Sequence, residues 1–129
     1  MDTNSVIDLI DGTLPMAAAE WLERTMGLQV PHISVITRIE LFSKLIDPAT
    51  TAQLTGFVRF AEVVGLNEAV IQQTMRLRQQ RRLKLPDAVI AATALVRGLV
   101  LVTRNVADFA HIAGLAVLNP YDTDQLPFL

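Results

Sequence analysis

The feature that most limits what this chain can fold into is the alternation of helix-like patterns with short apolar runs. Residues 88–96 (AVIAATALV) are apolar nearly all round, which is typical of a helix packed at the centre of a domain. Residues 99–103 (LVLVT) and 115–119 (LAVLN) are short apolar runs, which are typical of buried strands. Because such strands belong to parallel sheets covered on both faces, the pattern predicts an α/β fold with a mostly parallel sheet.

The remaining elements follow from periodicity and from the residues that begin and end helices. An early proline with a glycine after the end delimits two of the helices, at Pro15 with Gly27 and at Pro86 with Gly98. The patterns predict helices over 6–10, 15–27, 37–45, 48–60, 68–83, 86–97 and 106–112, and strands over 30–36, 62–66, 99–103 and 115–119.

Length and composition narrow the class of protein. A chain of 129 residues is most simply one domain, spanning 1–129. A hydrophobic content of 51% and a mean hydropathy of +0.38 exclude a disordered chain. No apolar run reaches the roughly 18 residues that span a bilayer, and the first residues do not resemble a secretory signal. The chain has no cysteine, which excludes disulfides and thiolate zinc sites and fits a cytoplasmic location.

Four acidic residues occupy positions suited to a shared site. Each lies at a predicted strand end or helix start: Asp2, Glu40, Asp87 and Asp108. Because such positions meet at one edge of a parallel sheet, we expect their carboxylates to lie close together. Like charges at that distance need protons or cations to compensate them, and Mg²⁺ and Mn²⁺ prefer oxygen ligands. Two such ions about 4 Å apart can clamp the attacking and leaving oxygens of a phosphodiester.

Each of these acids also has a purely structural interpretation. Thr37 and Glu40 have the spacing of a capping box, in which the glutamate satisfies a backbone donor. Asp87 and Asp108 lie in first helical turns, where negative charge is favourable. Asp2 could belong to a frayed terminus. These interpretations do not explain why all four acids fall at one predicted end of a sheet.

The charge of the chain is unevenly distributed. Residues 76–84 carry five positive charges and no negative one, so the rest of the chain is −7 within a net charge of −2. Such a basic patch suits contact with a polyanion, although a solvated helix end is an equal alternative. Because the buried stripe of the predicted helix 68–83 turns basic in its last turns, we expect that helix to project past the core. The basic residues of the stretch are Arg76, Arg78, Arg81, Arg82 and Lys84.

Four short motifs in order resemble the PIN-domain ribonucleases, and among them the VapC-type toxins of bacterial toxin–antitoxin pairs. They are D-T-N at 2–4, S-x-x-T-x-x-E-L at 34–41, P-D-A-x-I-A-A-T-A at 86–94 and T-R-N-x-x-D-F at 103–109. The resemblance covers essentially the whole chain. It implies a PIN-like three-layer domain in which a mostly parallel sheet of four to five short strands is flanked by helices.

The resemblance also implies an activity, which is Mg²⁺- or Mn²⁺-dependent hydrolysis of RNA. Asp2, Glu40 and Asp87 would be the catalytic metal ligands, with Asp108 as the fourth acid. It further implies an RNA substrate, a homodimer and a cognate antitoxin that blocks the groove. Residues implied to orient the ligands are Thr3, Asn4, Thr103 and Asn105; candidates for RNA contact are Arg38, Arg78, Arg81, Arg82, Lys84 and Arg104.

The chain departs from the family pattern at its first residue. Family members carry about four or five apolar residues before D-T-N, as a central strand, whereas here only Met1 precedes Asp2. Losing four buried apolar side chains would cost on the order of 6–12 kcal/mol, against a typical domain stability of about 5–15 kcal/mol. We therefore expect a truncated first strand and a loosely held Asp2. The alternative function is a catalytically impaired module that binds antitoxin or RNA, and a structure-specific DNA nuclease is a weaker third reading.

Overall fold

The structure, a computed structural model, describes residues 1–44 and 46–126. The predicted helix end at Leu45 and the last three positions of the predicted domain lie outside this range. The helices are α1 (Thr3–Asp11), α2 (Met16–Leu28), α3 (Val35–Leu41), α4 (Pro48–Phe60), α5 (Glu68–Gln80), α6 (Leu85–Arg97) and α7 (Val106–Phe109), with a 3₁₀ turn at Thr123–Gln125. The strands are β1 (His32–Ser34), β2 (Glu62–Val64), β3 (Leu101–Val102) and β4 (Val117–Leu118).

All strand pairing in the described part of the chain is parallel, as predicted, but the strands form two pairs. Strand β1 pairs with β2, with His32 opposite Glu62, and β3 pairs with β4, with Leu101 opposite Val117. The predicted single sheet of four to five strands is therefore not confirmed. The first two residues bridge the pairs: Met1 N donates to His32 O at 3.0 Å, and Asp2 N donates to Val102 O at 3.1 Å.

Helix α6 lies at the centre of the core, as its apolar sequence predicts. Every residue from Ala88 to Ala94 is buried, and α5 packs against it through Val70 and Leu77. Phe109, which is 1% exposed, joins the same cluster from α7. The helix ends where predicted, because Gly98 adopts a left-handed conformation (φ +62°) that a side chain would disfavour. No helix in the described ranges is both long and apolar enough to cross a bilayer.

Several predicted boundaries are wrong. The helix predicted over 6–10 begins at Thr3, and the helix predicted over 37–45 ends at Leu41. Residues 35 and 36 begin α3 rather than ending a strand, because the Ser34 hydroxyl accepts a hydrogen bond from Ile36 N and caps the helix. Glu40 therefore lies in the last turn of α3, which excludes the capping-box interpretation. Helix α5 ends at Gln80 and does not continue to residue 83, and α7 ends before residue 112.

Candidate functional site

A cleft of about 550 Å³ brings together residues from several of the predicted motifs. It is bounded by α1 along its length, the end of α3, the first half of α4 and the start of α6. Among its lining residues are Asp2, Asn4, Glu40, Asp87 and Asn105. The structure thus places three of the four predicted acids at one cleft, although they are up to 85 positions apart in the chain.

Asp2 is the most firmly held of the acids. It is 5% exposed and caps α1, with Oδ1 accepting from Ser5 N at 2.9 Å. Its Oδ2 accepts from the Thr103 hydroxyl at 2.5 Å, and Thr103 Oγ1 in turn accepts from Asn105 N at 3.0 Å. The interpretation of Asp2 as a frayed terminus is therefore wrong. The Thr103 hydroxyl holds one oxygen of the Asp2 carboxylate in place.

Glu40 is exposed but oriented by a neighbouring hydroxyl. The Thr3 hydroxyl donates to Glu40 Oε1 at 2.6 Å, and the Thr37 hydroxyl lies 3.2 Å from the same Thr3 oxygen. Thr3 follows Asp2 directly in the chain, so one short segment positions two of the acids. A hydrogen bond from a hydroxyl to a carboxylate is strong at this length.

Asp87 is the acid whose ionisation the site disturbs. It lies half-buried in the first turn of α6, and its pKa is raised above the ordinary aspartate value. Burial is the largest cause, followed by repulsion from Asp108, and Glu40 and Asp2 add to it, while Lys84 opposes the rise. The ionised form of Asp87 is therefore disfavoured in the folded protein.

The fourth acid is placed differently. Asp108 is exposed in α7 and does not line the cleft, although it is near enough to repel Asp87. Across residues 1–44 and 46–126, no three His, Asp or Glu side chains are close enough together to hold a metal ion. The side chains of the cleft that could bind a cation offer carboxylate, amide and hydroxyl oxygens, which fit Mg²⁺ or Mn²⁺ by ligand type.

The basic stretch divides into tethered and exposed residues. Arg81 Nη2 donates to His111 O at 2.6 Å, so this side chain connects the end of α5 to the turn after α7. Arg78, Arg82 and Lys84 are exposed. Lys84 immediately precedes α6 and influences Asp87, which places one end of the basic stretch beside the acidic cleft.

The two arginines that adjoin the site motifs also differ in whether another residue holds their side chains. Arg38 is exposed on α3. Arg104 Nη1 lies 3.3 Å from Asp8 Oδ2 and is held in an ion pair. A guanidinium fixed in this way is less free to reach phosphate than that of Arg38.

Asp8 is a buried acid that sequence reasoning missed. It is 8% exposed, and its Oδ2 accepts from the Tyr121 hydroxyl at 2.8 Å as well as facing Arg104. Tyr121 and Arg104 lie about 100 positions away, so no local pattern marks them, and the Thr13 hydroxyl donates to Asp8 Oδ1 at 3.3 Å from the same end of α1. The available signal was its spacing: Asp8 lies three residues after Ser5 on the buried face of α1.

The two histidines and the single tryptophan lie outside the lining of the cleft. His32 is satisfied, since its Nε2 lies 2.8 Å from Glu62 Oε2, but it is half-buried rather than part of the core. Trp21 is 7% exposed and packs in the core. His111 is exposed, and its backbone oxygen is the atom used by Arg81.

The hydroxyl of Thr103 should matter more than that of another buried threonine. Thr103→Val leaves the buried Asp2 carboxylate short of a donor, so we expect unfolding free energy to fall by about 1–3 kcal/mol. Thr93→Val is the control, since its hydroxyl only bonds Val89 O in its own helix. Urea unfolding of both variants measures the difference, and equal losses would contradict a special role for the Asp2 contact.

Comparison with known proteins places the chain in a family. The PIN domain family profile matches residues 1–115. The chain belongs to the PIN-domain family.

Several solved structures of toxin–antitoxin complexes contain a chain similar to this one. A toxin–antitoxin complex from Klebsiella pneumoniae contains a chain 32% identical, with a TM-score of 0.72, over 93% of this chain and 95% of that one. A chain in the DNA-bound VapBC structure from Salmonella typhimurium is 28% identical, with a TM-score of 0.77, over 92% of this chain and 95% of that one. A chain in the VapBC-1 structure from nontypeable Haemophilus influenzae is 25% identical, with a TM-score of 0.76, over 92% of this chain and 95% of that one. The resemblance to VapC-type toxins predicted from the motifs is confirmed. No curated protein matches significantly.

Proposed function

We propose that this domain is a Mg²⁺- or Mn²⁺-dependent endoribonuclease that acts as the toxin of a toxin–antitoxin pair. The observation that carries the proposal is the arrangement of Asp2, Glu40 and Asp87 around one cleft, with the pKa of Asp87 raised by burial and by the other acids. A cation bound there would relieve the repulsion that these carboxylates impose on one another. PIN-family membership and the toxin–antitoxin neighbours support the same activity.

The residues of the cleft would have different roles in such a reaction. Asp2 and Glu40 are oriented by Thr103 and Thr3 respectively, which limits the reorganisation needed to bind an ion. A divalent ion, when bound, supplies activation of water and stabilisation of charge on the phosphate oxygens. Asn105 lines the same cleft and offers an amide N–H to a phosphate oxygen.

The RNA would approach along the basic residues. Arg38, Arg78, Arg82 and Lys84 are exposed and can neutralise phosphates without being removed from other contacts. Arg81 and Arg104 are engaged by His111 and Asp8, so we assign them a smaller share of RNA binding. We further propose a cognate antitoxin as partner, a homodimer and a cytoplasmic location.

A second candidate function is a catalytically impaired module that binds antitoxin or RNA. One observation favours it: within the described ranges the acids share a cleft without forming a cluster of three potential ligands. Binding of RNA would then depend on the basic residues alone and would not need an ion.

Removal of metal separates the two candidates. We expect purified protein to cleave structured RNA with Mg²⁺ or Mn²⁺, and to lose cleavage in EDTA and regain it when Mn²⁺ is restored. Titration calorimetry with Mn²⁺ should show binding in the absence of RNA. Cleavage that is indifferent to EDTA would reject the metal-dependent mechanism, while RNA binding without Mn²⁺ binding or cleavage would establish the second candidate.

A further inference from the structure

The loop that follows β3, residues 103–105, carries two groups of the candidate site. The Thr103 hydroxyl donates to the Asp2 carboxylate, and Asn105 lines the cleft. Asn105 is also the N-cap residue of α7, where asparagine is a preferred residue, yet its side chain accepts no capping hydrogen bond from the described backbone. The amide is therefore left available to the cleft, and its position depends on how the loop is held.

Helix α1 contacts two consecutive residues of this loop. Asp2, which caps the start of the helix, accepts from the Thr103 hydroxyl, and Asp8 Oδ2, near the end of the helix, lies 3.3 Å from Arg104 Nη1. The contact with Thr103 alone would let the loop turn about that residue. A second contact, from a point about 9 Å further along the same helix, fixes its direction.

The Asp8 carboxylate is itself oriented from several sides. It is buried, its Oδ2 also accepts from the Tyr121 hydroxyl at 2.8 Å, and its Oδ1 accepts from the Thr13 hydroxyl at 3.3 Å. Tyr121 N donates to Asn119 Oδ1 at 2.9 Å, so the residue that reaches Asp8 from beyond β4 is held in turn. The guanidinium of Arg104 therefore meets a carboxylate whose position the fold has already fixed.

The pair of Asp8 and Arg104 adds little net stability by itself. The loss of hydration of the acid offsets much of the attraction, and the Arg104 side chain is 47% exposed, so solvent screens the pair. An apolar residue would suit the buried face of α1, where Val6 is fully buried. What the pair does provide is a fixed place for Arg104, and thus for Asn105 beside it.

We propose that Asp8 is a positioning residue, which fixes the loop 103–105 through Arg104 and so holds the Asn105 amide at the cleft. Asp8 is not among the described residues that line the cleft, so it acts through the loop and not on the reacting groups. The effect on cleavage rests on the proposed nuclease function, whereas the effect on the order of the loop does not.

The kinetics of RNA cleavage at saturating Mn²⁺ test the proposal with Asp8→Asn and Arg104→Met. Rates are compared at a temperature at which circular dichroism shows every variant to be folded. Because Asn105 is then held less well, we expect kcat to fall by about 10-fold in each variant, at the lower end of the effect of groups that orient a site. KM for RNA should stay within about twofold, since other basic residues neutralise most of the phosphates.

The double variant shows whether the two residues act together. We expect it to lose no more kcat than the more impaired single variant, because Asp8 acts through Arg104. Losses that multiply would mean that Asp8 acts by another route. A raised KM with unchanged kcat in Arg104→Met would mean that Arg104 contacts RNA directly. Either result would overturn the proposal.

Glu62→Gln is the matched control. Glu62 also pairs with an arginine from another element, since its Oε1 lies 2.8 Å from Arg97 Nη2, but neither residue is among the described residues that line the cleft. Its kcat should stay within about twofold of the parent. An equal fall of kcat in Glu62→Gln and Asp8→Asn would overturn the proposal, because any ion pair between elements would then have the same effect.

The backbone order of Asn105, measured by ¹⁵N relaxation without RNA or metal, tests the positioning independently of cleavage. We expect an order parameter of about 0.85 in the parent, which is typical of rigid backbone, and a fall towards about 0.6 in Asp8→Asn and Arg104→Met but not in Glu62→Gln. Unchanged order in both variants would overturn the proposal. A parent protein that does not cleave RNA would instead reject the proposed function, and the order parameters would still decide whether Asp8 holds the loop.

Discussion

Asp87→Asn is expected to lower metal-dependent RNA cleavage by more than about 100-fold. The change keeps the shape of the side chain but removes the negative charge that a cation would meet in the cleft. Partners that only orient metal ligands are typically worth 10–100-fold in affinity or activity, so loss of a ligand should exceed that range. The rate is measured on a structured RNA at saturating Mn²⁺.

The same substitution should stabilise the metal-free domain. The pKa of Asp87 is raised in the folded state, chiefly by burial and then by Asp108, so ionisation of Asp87 disfavours folding. That penalty is absent below the ordinary pKa of 3.8 and grows as pH rises through the folded-state pKa. We therefore expect Tm of the variant to exceed that of the parent at pH 7, with the difference shrinking towards pH 4.

Asp11→Asn is the matched control for both measurements. Asp11 also lines the cleft, but it is exposed at the end of α1. Cleavage by this variant should stay within about twofold of the parent, as is usual for a surface change away from the reacting groups. Equal loss of activity in the two variants would mean that Asp87 is not a metal ligand. A lower Tm of Asp87→Asn in the absence of metal would mean that ionisation of Asp87 does not disfavour folding.

Phe109→Ala should be the most damaging single change to stability. Phe109 is 1% exposed in the cluster around α6, and its removal leaves a cavity that a four-residue helix cannot easily close. We expect a loss of about 3–5 kcal/mol, which is a large share of the 5–15 kcal/mol typical of a domain. Urea unfolding followed by circular dichroism measures the loss.

Phe60→Ala provides the comparison for that loss. Phe60 is 51% exposed at the end of α4, so the same atoms are removed without creating an enclosed cavity. We expect its cost to be below about 1 kcal/mol. Similar costs for the two substitutions would mean that Phe109 is not part of the principal core.

The local features of the fold were predictable from the sequence. The bounds of α4 and the end of α6 at Gly98 follow from residues within one helical turn, and the buried run in α6 follows from its unbroken apolar pattern. The start of α3 was not predicted, because the serine that caps the helix is flanked by apolar residues. A strand that continued through Ser34 would show the same sequence pattern. Such local choices depend on neighbours only a few positions away.

The sequence by itself determined the family, the parallel α/β class and three of the acids that line the cleft, because motifs and periodicity are properties of neighbouring residues. Only the tertiary structure decided that Asp8 is buried against Tyr121, that Asp108 does not line the cleft, and that the strands form two pairs. Those outcomes depend on contacts between residues that are tens of positions apart, and burial and electrostatic repulsion are set by such contacts.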